Sequence, residues 1–144
     1  MEAAQGRSAA ATARLAEALA LAERYVADFP DALDGRRELS RLRAARGERT
    51  AALAAIDAAM ALATATRDAV EIANTRRAKA ETLALLGDKA AAIAELRAVH
   101  DMGQAFGYTL RLDLEWAPLR AEPAFQRLMA EAEARANAQP RPKK

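Results

Sequence analysis

The feature that most constrains the fold of this chain is an internal repeat with a period of forty residues. The stretch RGERTAALAAIDAAM aligns with LGDKAAAIAELRAVH, so that Gly47 matches Gly87 and Ile56 matches Leu96. Apolar residues recur at three- and four-residue spacing on both sides of each glycine, which indicates a helix, a turn and a second helix. A single hairpin of this kind cannot bury its apolar face, whereas stacked hairpins can. The repeat therefore predicts an all-α fold built from antiparallel helix hairpins.

Helical spacing extends along most of the chain, and no window alternates in the way a strand does. The pattern predicts five helices, an irregular connection over EWAPLRAEP, and a last helix through AFQRLMAEAEARA. The first helix has Ser8 or Thr12 as its N-cap and is ended by Pro30. The expected inward-facing positions include Val70 in the fourth helix and Met102 at the end of the fifth. Alanine makes up much of the 52% hydrophobic fraction, so we expect closely packed helices around a thin core.

The second helix of each unit begins with a glycine and an acidic residue and continues with apolar residues at fixed offsets. The matching positions are Gly47, Glu48, Ala52, Leu53, Ile56 and Ala59 in one unit and Gly87, Asp88, Ala92, Ile93 and Leu96 in the other. This pattern resembles the tetratricopeptide repeat family over residues 13 to 103, with a period of forty residues where the family has about thirty-four. The resemblance implies a short right-handed α-solenoid of antiparallel helix hairpins with a C-terminal capping helix.

A chain of 144 residues is expected to form one domain. In the arrangement that the resemblance implies, residues 1–137 form this domain, with a half repeat at 9–30, repeats at 31–66 and 67–107, and a cap at 108–137. The last residues, 138–144, are polar and rich in proline and lysine, which predicts a disordered tail.

The segment LDLEWAPLRAEPAFQRLM holds the only tryptophan of the chain, and it also collects two prolines. One interpretation is a cap, because the last hairpin of an array has an apolar face that something must cover. The expected cap residues are Trp116, Leu119, Phe125 and Leu128. The segment also resembles the one that closes such arrays in bacterial regulators and kinases. The alternative interpretation is a small-molecule pocket at the junction between this segment and the array.

An arginine-rich stretch, DGRRELSRLRAARGER, is the strongest local charge bias. In the tetratricopeptide family the first helix of each repeat lines a concave groove, and the resemblance implies a peptide-binding groove formed by Arg37, Arg41, Asn74, Arg77 and Glu81. Guanidinium groups from two helices suit carboxylates or an acidic peptide. The alternative is a solvated helix face on which the arginines pair with Asp34, Glu38 and Glu48.

Composition and motifs argue against several function classes. Lysine and arginine total 22 against 20 acidic residues, and this formal charge of +2 makes neither nucleic acid nor an anionic membrane an expected partner. The single histidine, His100, stands beside Asp101 without the further groups that a catalytic site needs. There is no cysteine, no phosphate-binding glycine loop and no metal-ligand spacing. We therefore expect no enzyme activity and no cofactor, and the absence of an apolar leader or span predicts a cytoplasmic protein.

Together these features predict a noncatalytic scaffold module that binds a protein or a peptide, with an acidic segment as one candidate partner and with self-association left open. The alternative function is that of a regulatory, sensor or oligomerisation segment of a larger bacterial signalling protein, such as a kinase, a cyclase or a transcription factor.

Overall fold

The computed structural model describes residues 2–104 and 113–138, with side chains from residue 9 onward. All regular secondary structure in these ranges is helical, which confirms the all-α prediction. The helices are α1 (Glu2–Asp28), α2 (Leu33–Ala45), α3 (Arg49–Thr66), α4 (Ala69–Leu85), α5 (Lys89–Asp101), the 3-10 helix η1 (Leu114–Leu119) and α6 (Pro123–Ala138).

The two glycine turns have the same backbone structure. Gly47 and Gly87 adopt left-handed φ angles of 77° and 84°, which only glycine tolerates without cost. The N–H of Gly47 donates to the carbonyl three residues earlier, and the N–H of Glu48 donates to the carbonyl five residues earlier, both at 2.9 Å. Gly87 and Asp88 repeat both hydrogen bonds at 3.1 and 2.9 Å. Each turn is therefore a Schellman motif, and the two motifs stand forty residues apart.

Helix packing follows the order of the chain and adds one longer-range neighbour. α1 packs on α2, α2 on α3, α3 on α4, and α4 on α5, so consecutive helices form antiparallel neighbours. α2 also packs on α4, which places the first helices of the two repeat units side by side. η1 contacts both α4 and α5, and α6 contacts α5. The C-terminal segment thus lies on the last of the predicted hairpins.

Small residues fill the contacts between helices, as the composition predicted. The fully buried alanines are Ala52, Ala59, Ala63, Ala80 and Ala92. A buried hydroxyl pair joins α2 to α4: Ser40 Oγ lies 2.8 Å from Thr82 Oγ1 and donates to the Ala52 carbonyl at 2.9 Å. Short side chains let the helix backbones approach closely, so each helix contributes little apolar area to the core.

An ion pair recurs where successive second helices begin. Arg49 at the start of α3 pairs with Asp88, which precedes α5. Lys89 at the start of α5 pairs with Glu122, which precedes α6, and the Nζ to Oε1 distance is 2.8 Å. The C-terminal helix therefore continues a pairing that the two repeat units begin.

Three sequence predictions about local structure are wrong. α1 begins at Glu2, so Ser8 and Thr12 lie inside the helix and neither caps it. Alanine is the strongest helix former, and the alanine-rich N-terminus lets the helix extend past both hydroxyl residues. Val70 and Met102 are exposed, because each lies near a helix end where no neighbouring helix covers it.

The C-terminal boundaries also differ from the prediction. EWAPLRAEP contains a 3-10 helix, because Pro118 can stand in a short helix whose amides need few acceptors. Ala138, predicted to begin the disordered tail, is the last residue of α6. The rest of the tail, 139–144, and the first part of the predicted cap, 108–112, lie outside the described residues.

Candidate functional site

A surface cavity of about 410 Å³ lies between α2 and α4. Its lining residues are Asp34, Arg37, Glu38, Arg41, Asn74, Arg77, Ala78 and Glu81. All five residues that the resemblance assigned to a groove are among them. We call this cavity, with these lining residues, the α2–α4 pocket.

The repeat explains why these side chains meet. Arg37 and Arg41 are four residues apart on α2, and Arg77 and Glu81 are four residues apart on α4, so each pair lies on one helix face. The forty-residue period makes Arg41 and Glu81 equivalent positions with opposite charge. Because α2 and α4 are neighbours, Arg41 Nη1 donates to Glu81 Oε2 at 2.9 Å. The lining of the pocket thus contains an ion pair between equivalent positions of α2 and α4.

The guanidinium of Arg37 makes hydrogen bonds within the protein. Its side chain is only 11% exposed. Nε donates to Thr75 Oγ1 at 3.0 Å, Nη1 donates to Asp34 at 2.9 Å, and Nη2 donates to a Glu71 carboxylate oxygen. All three nitrogens of the guanidinium have protein acceptors, so Arg37 joins α2 to α4 and has little capacity for a ligand.

Arg41 and Arg77 are the accessible arginines of the pocket. Their side chains are 36% and 38% exposed. Besides Glu81, Arg41 pairs with Glu38 and lies 3.8 Å from a carboxylate oxygen of Glu115. Both arginines therefore reach solvent at the mouth of the pocket, and both already face carboxylates.

The C-terminal segment also supplies a partner to Arg77. Arg77 Nη2 lies 3.7 Å from Asp113 Oδ2, and its Nε lies 3.6 Å from Glu81 Oε1. Asp113 immediately precedes η1, so the segment that packs on α4 and α5 also borders the pocket. Sequence reasoning did not anticipate Glu71, Asp113 or Glu115 at this site.

Glu81 is a buried carboxylate at the base of the pocket, with 8% of its side chain exposed. Burial raises its pKa above the ordinary value of 4.5, and the nearby charge of Glu115 acts in the same direction. Arg41 and Arg77 oppose the shift by stabilising the ionised form, and the pKa remains raised. Further negative charge near Glu81 is therefore unfavourable.

Internal pairing describes the arginine-rich stretch well. The carboxylates named in the alternative interpretation all take part, since Arg37 pairs with Asp34, Arg41 with Glu38, and Arg46 with Glu48. Arg43 of α2 pairs with Glu23 of α1, and the Nη2 to Oε1 distance is 3.2 Å. The stretch therefore acts in part as a set of contacts between helices.

The predicted cap residues form one buried apolar cluster. Trp116, Leu119 and Leu128 are fully buried, and Phe125 is nearly so. The cluster contains these residues with Met129, Ala80, Leu83, Ala84, Ala92 and Leu96. The aromatic side chains of the C-terminal segment thus cover α4 and α5, which is the packing that a cap requires.

A second cavity of about 260 Å³ lies at the edge of this cluster, where the described lining residues are Arg120, Phe125, Gln126 and Met129. Trp116 has no exposed surface, so its ring offers no wall to a ligand here. Phe125 and Met129 are themselves almost completely buried. The described wall of this cavity therefore comes from Arg120, Phe125, Gln126 and Met129, and Trp116 is not part of it.

His100 lies buried on α5. Burial lowers its pKa, and the positive charges of Arg135 and Arg97 lower it further, against the opposing effect of Asp101 and Glu131. Across residues 2–104 and 113–138, no three or more acidic or histidine side chains are grouped to hold a metal ion. In the same ranges no helix has the length and apolarity to cross a membrane.

Comparisons of the chain with protein-family models, with curated proteins and with solved structures gave no match.

Proposed function

We propose that this chain is a noncatalytic module that binds a protein or a peptide through the α2–α4 pocket. The observation that carries the proposal is that the five residues assigned to a groove from sequence line one cavity of about 410 Å³. This volume is within the usual range for ligand sites. The cavity mouth carries charged and amide groups, which suit a polar segment of another chain.

We further propose that the helices form a tetratricopeptide-like solenoid of right-handed sense, closed by the C-terminal segment. The two Schellman turns at a spacing of forty residues support a repeated unit. The contact between α2 and α4 supports a stack in which first helices lie side by side. In such a stack the first helices line the inner surface, and under this proposal the α2–α4 pocket belongs to that surface.

The pocket residues divide into two roles in this proposal. Arg41, Asn74 and Arg77 reach solvent and contact the partner directly. Arg37 holds α2 against α4 through Thr75 and Glu71 and keeps the pocket in shape. Replacing the accessible lining residues Glu38 and Asn74 should therefore weaken binding without unfolding the protein, whereas replacing Arg37 should affect both binding and stability.

An affinity-capture experiment with bound proteins identified by mass spectrometry tests the function. The wild-type chain is compared with Glu38→Ala/Asn74→Ala, which changes two accessible lining residues of the pocket, and with a control, Glu17→Ala, which removes one carboxylate from the exposed face of α1. We expect a reproducible partner that the control retains and the pocket variant loses, with unchanged circular dichroism in all three chains. A partner retained by the pocket variant would place binding elsewhere.

The second candidate function, an oligomerisation or regulatory segment of a larger bacterial signalling protein, is supported by one observation on α1. Leu21, Tyr25 and Phe29 are exposed on the same face at four-residue spacing, and the Tyr25 and Phe29 ring centroids lie 5.1 Å apart. Clustered exposed apolar side chains are typical of interaction surfaces. Light scattering tests self-association: a dimer that Leu21→Glu/Phe29→Glu converts to a monomer would favour this function.

A further inference from the structure

We infer that the partner presents a basic side chain, lysine or arginine, to the α2–α4 pocket. The inference rests on the proposed function and names the chemistry of the ligand. It follows from the charges around the cavity, from the hydrogen-bonding capacity left among them, and from which groups are most exposed.

The charges around the pocket do not balance. Three guanidinium groups, those of Arg37, Arg41 and Arg77, lie in or beside the cavity. Six carboxylates lie within 4.0 Å of them, namely Asp34, Glu38, Glu71, Glu81, Asp113 and Glu115. The lining residues alone are balanced, with three arginines and three carboxylates. The three neighbouring carboxylates, Glu71, Asp113 and Glu115, give the described residues at this site an excess of three negative charges, although the whole chain has a formal charge of +2. The composition of the whole chain would suggest a positive charge at this site.

Hydrogen-bonding capacity is unbalanced in the same direction. An ionised carboxylate accepts about four hydrogen bonds, whereas a guanidinium only donates. The three nitrogens of Arg37 donate to Thr75, Asp34 and Glu71, and both terminal nitrogens of Arg41 donate to carboxylates. The three guanidinium groups carry about fifteen N–H donors and the six carboxylates about twenty-four acceptor sites, so acceptors outnumber donors at this site. A ligand that donates hydrogen bonds and carries positive charge meets this surplus.

Exposure shows which groups an incoming ligand meets first. The side chains of Asp34, Glu115 and Glu38 are 92%, 50% and 46% exposed. Each of these values exceeds the exposure of the two accessible arginines. Glu38 and Glu115 both contact Arg41 from different parts of the chain, so the mouth of the pocket has carboxylates on two sides of one guanidinium.

An acidic ligand would have to act against these contacts. Its carboxylate would compete with Glu81 and Glu38 for the terminal nitrogens of Arg41, and at Arg77 it would come close to Glu81 and Asp113, which lie 3.6 and 3.7 Å from that guanidinium. It would also add negative charge close to Glu81, the buried carboxylate whose ionised form burial already disfavours. A lysine or arginine side chain breaks no internal pair, and it stabilises the ionised form of Glu81.

The test is a fluorescence-anisotropy titration of the full chain with three labelled hexapeptides, in which alanine alternates with lysine, with glutamate or with glutamine. We expect the lysine peptide to bind at least about tenfold more tightly than the glutamate peptide at low salt. The difference should shrink in high salt, because exposed charges are screened. Glu38→Gln/Glu115→Gln should weaken binding of the lysine peptide roughly threefold to tenfold, since each half-exposed charge pair contributes only modestly.

A matched control separates the pocket from the overall charge of the chain. Glu17→Gln/Asp28→Asn removes two exposed carboxylates from α1 and changes the net charge by the same amount. We expect this control to bind the lysine peptide like the wild type. Equal weakening by both double variants would overturn the inference.

The remaining outcomes distinguish the inference from the proposed function. Tighter binding of the glutamate peptide, abolished by Arg77→Ala, would overturn the basic-ligand inference and leave the peptide-binding function supported. Equal binding of all three peptides would overturn the inference in the same way. If none of the three peptides binds, both the basic-ligand inference and the proposed peptide-binding function are contradicted.

Discussion

The two sides of α4 are held to their neighbours by different forces. Toward α5 and the C-terminal segment, Ala80, Leu83 and Ala84 enter the apolar cluster around Trp116. Toward α2, the same helix presents Arg77 and Glu81 to the α2–α4 pocket. Apolar burial is non-directional and scales with area, whereas ion pairs depend on position and on salt. One helix thus separates a part of the fold that supplies stability from a part that is suited to recognition.

The largest effect should come from charging the apolar side. Leu96→Asp places an unpaired carboxylate among fully buried side chains, and we expect a loss of about 5 kcal/mol or more in the free energy of unfolding. The matched control is Ala94→Asp, at an exposed position of the same helix, which should change it by less than about 1 kcal/mol. Urea denaturation followed by circular dichroism measures both; similar losses in the two variants would contradict the assigned packing of α5.

Removing Trp116 from the apolar cluster on the α5 side of α4 should have the next largest effect. Trp116→Ala should lower the free energy of unfolding by about 3 to 5 kcal/mol, because a fully buried indole leaves a cavity. Leu114→Ala, in the same 3-10 helix but exposed, should be nearly neutral. In the wild type the tryptophan emission should be blue-shifted and poorly quenched by iodide. Emission at the wavelength of free tryptophan would show that the C-terminal segment does not cover α5.

A smaller effect should come from the ion-paired side. Arg37→Met removes the donor to Thr75 and Glu71 between α2 and α4, and we expect a loss of about 2 to 3 kcal/mol. Arg46→Met, whose exposed side chain pairs with Glu48 at 3.1 Å, should cost less than about 1 kcal/mol. The measurement is again urea denaturation. If the two variants lose the same amount, Arg37 is a surface residue and does not join the helices.

The smallest predicted effect sharpens the comparison, because the apolar side also contains one titratable group. Burial and the charges of Arg135 and Arg97 lower the pKa of His100 below the ordinary 6.5. The unfolded chain therefore binds a proton at a higher pH than the folded chain does. Stability from this group is present above pH 6.5 and is lost as the pH falls through the lowered pKa of the folded state.

The measurement is the free energy of unfolding between pH 7.5 and pH 5, for the wild type and for His100→Gln. We expect the free energy of unfolding of the wild type to fall more than that of the variant over this interval, because only the wild type has a histidine with a lowered pKa at this position. Glu81 has the opposite sign, since its raised pKa favours the folded state at lower pH, and it is present in both chains. Parallel pH curves for the two chains would show that His100 titrates in the fold as it does in the unfolded chain.

The features predicted well from sequence depend on local or periodic information. The glycines at 47 and 87 end their helices because the left-handed turn requires glycine, and this is visible without any tertiary structure. The grouping of Arg41 with Glu81 came from the resemblance, and the forty-residue period accounts for it, because equivalent positions on neighbouring first helices lie side by side. The burial of Trp116 was expected from its apolar area.

The features missed from sequence depend on distances between helices. Glu71 reaches Arg37 across thirty-four residues of chain, and Asp113 and Glu115 reach the pocket only because η1 packs on α4. No local pattern indicates these contacts. The sign of the charge at the pocket was therefore inaccessible from sequence, since it depends on carboxylates from three separate segments.

Because the turns at Gly47 and Gly87 have the same backbone hydrogen bonds, the protein could be lengthened by adding a further unit between them. The backbone hydrogen bonds that end α2 also end α4, and the basic residue that opens α3 has its counterpart opening α5. If a copy of residues 48–87 were inserted after Gly87, a glycine turn of the type already present at Gly47 and Gly87 would stand at both ends of the copy. The insertion would add one more helix beside α4. The C-terminal segment would then pack on the copy of α4 and on α5 as it packs on α4 and α5 now. Such a duplication would lengthen the surface formed by α2 and α4 without requiring a new kind of turn.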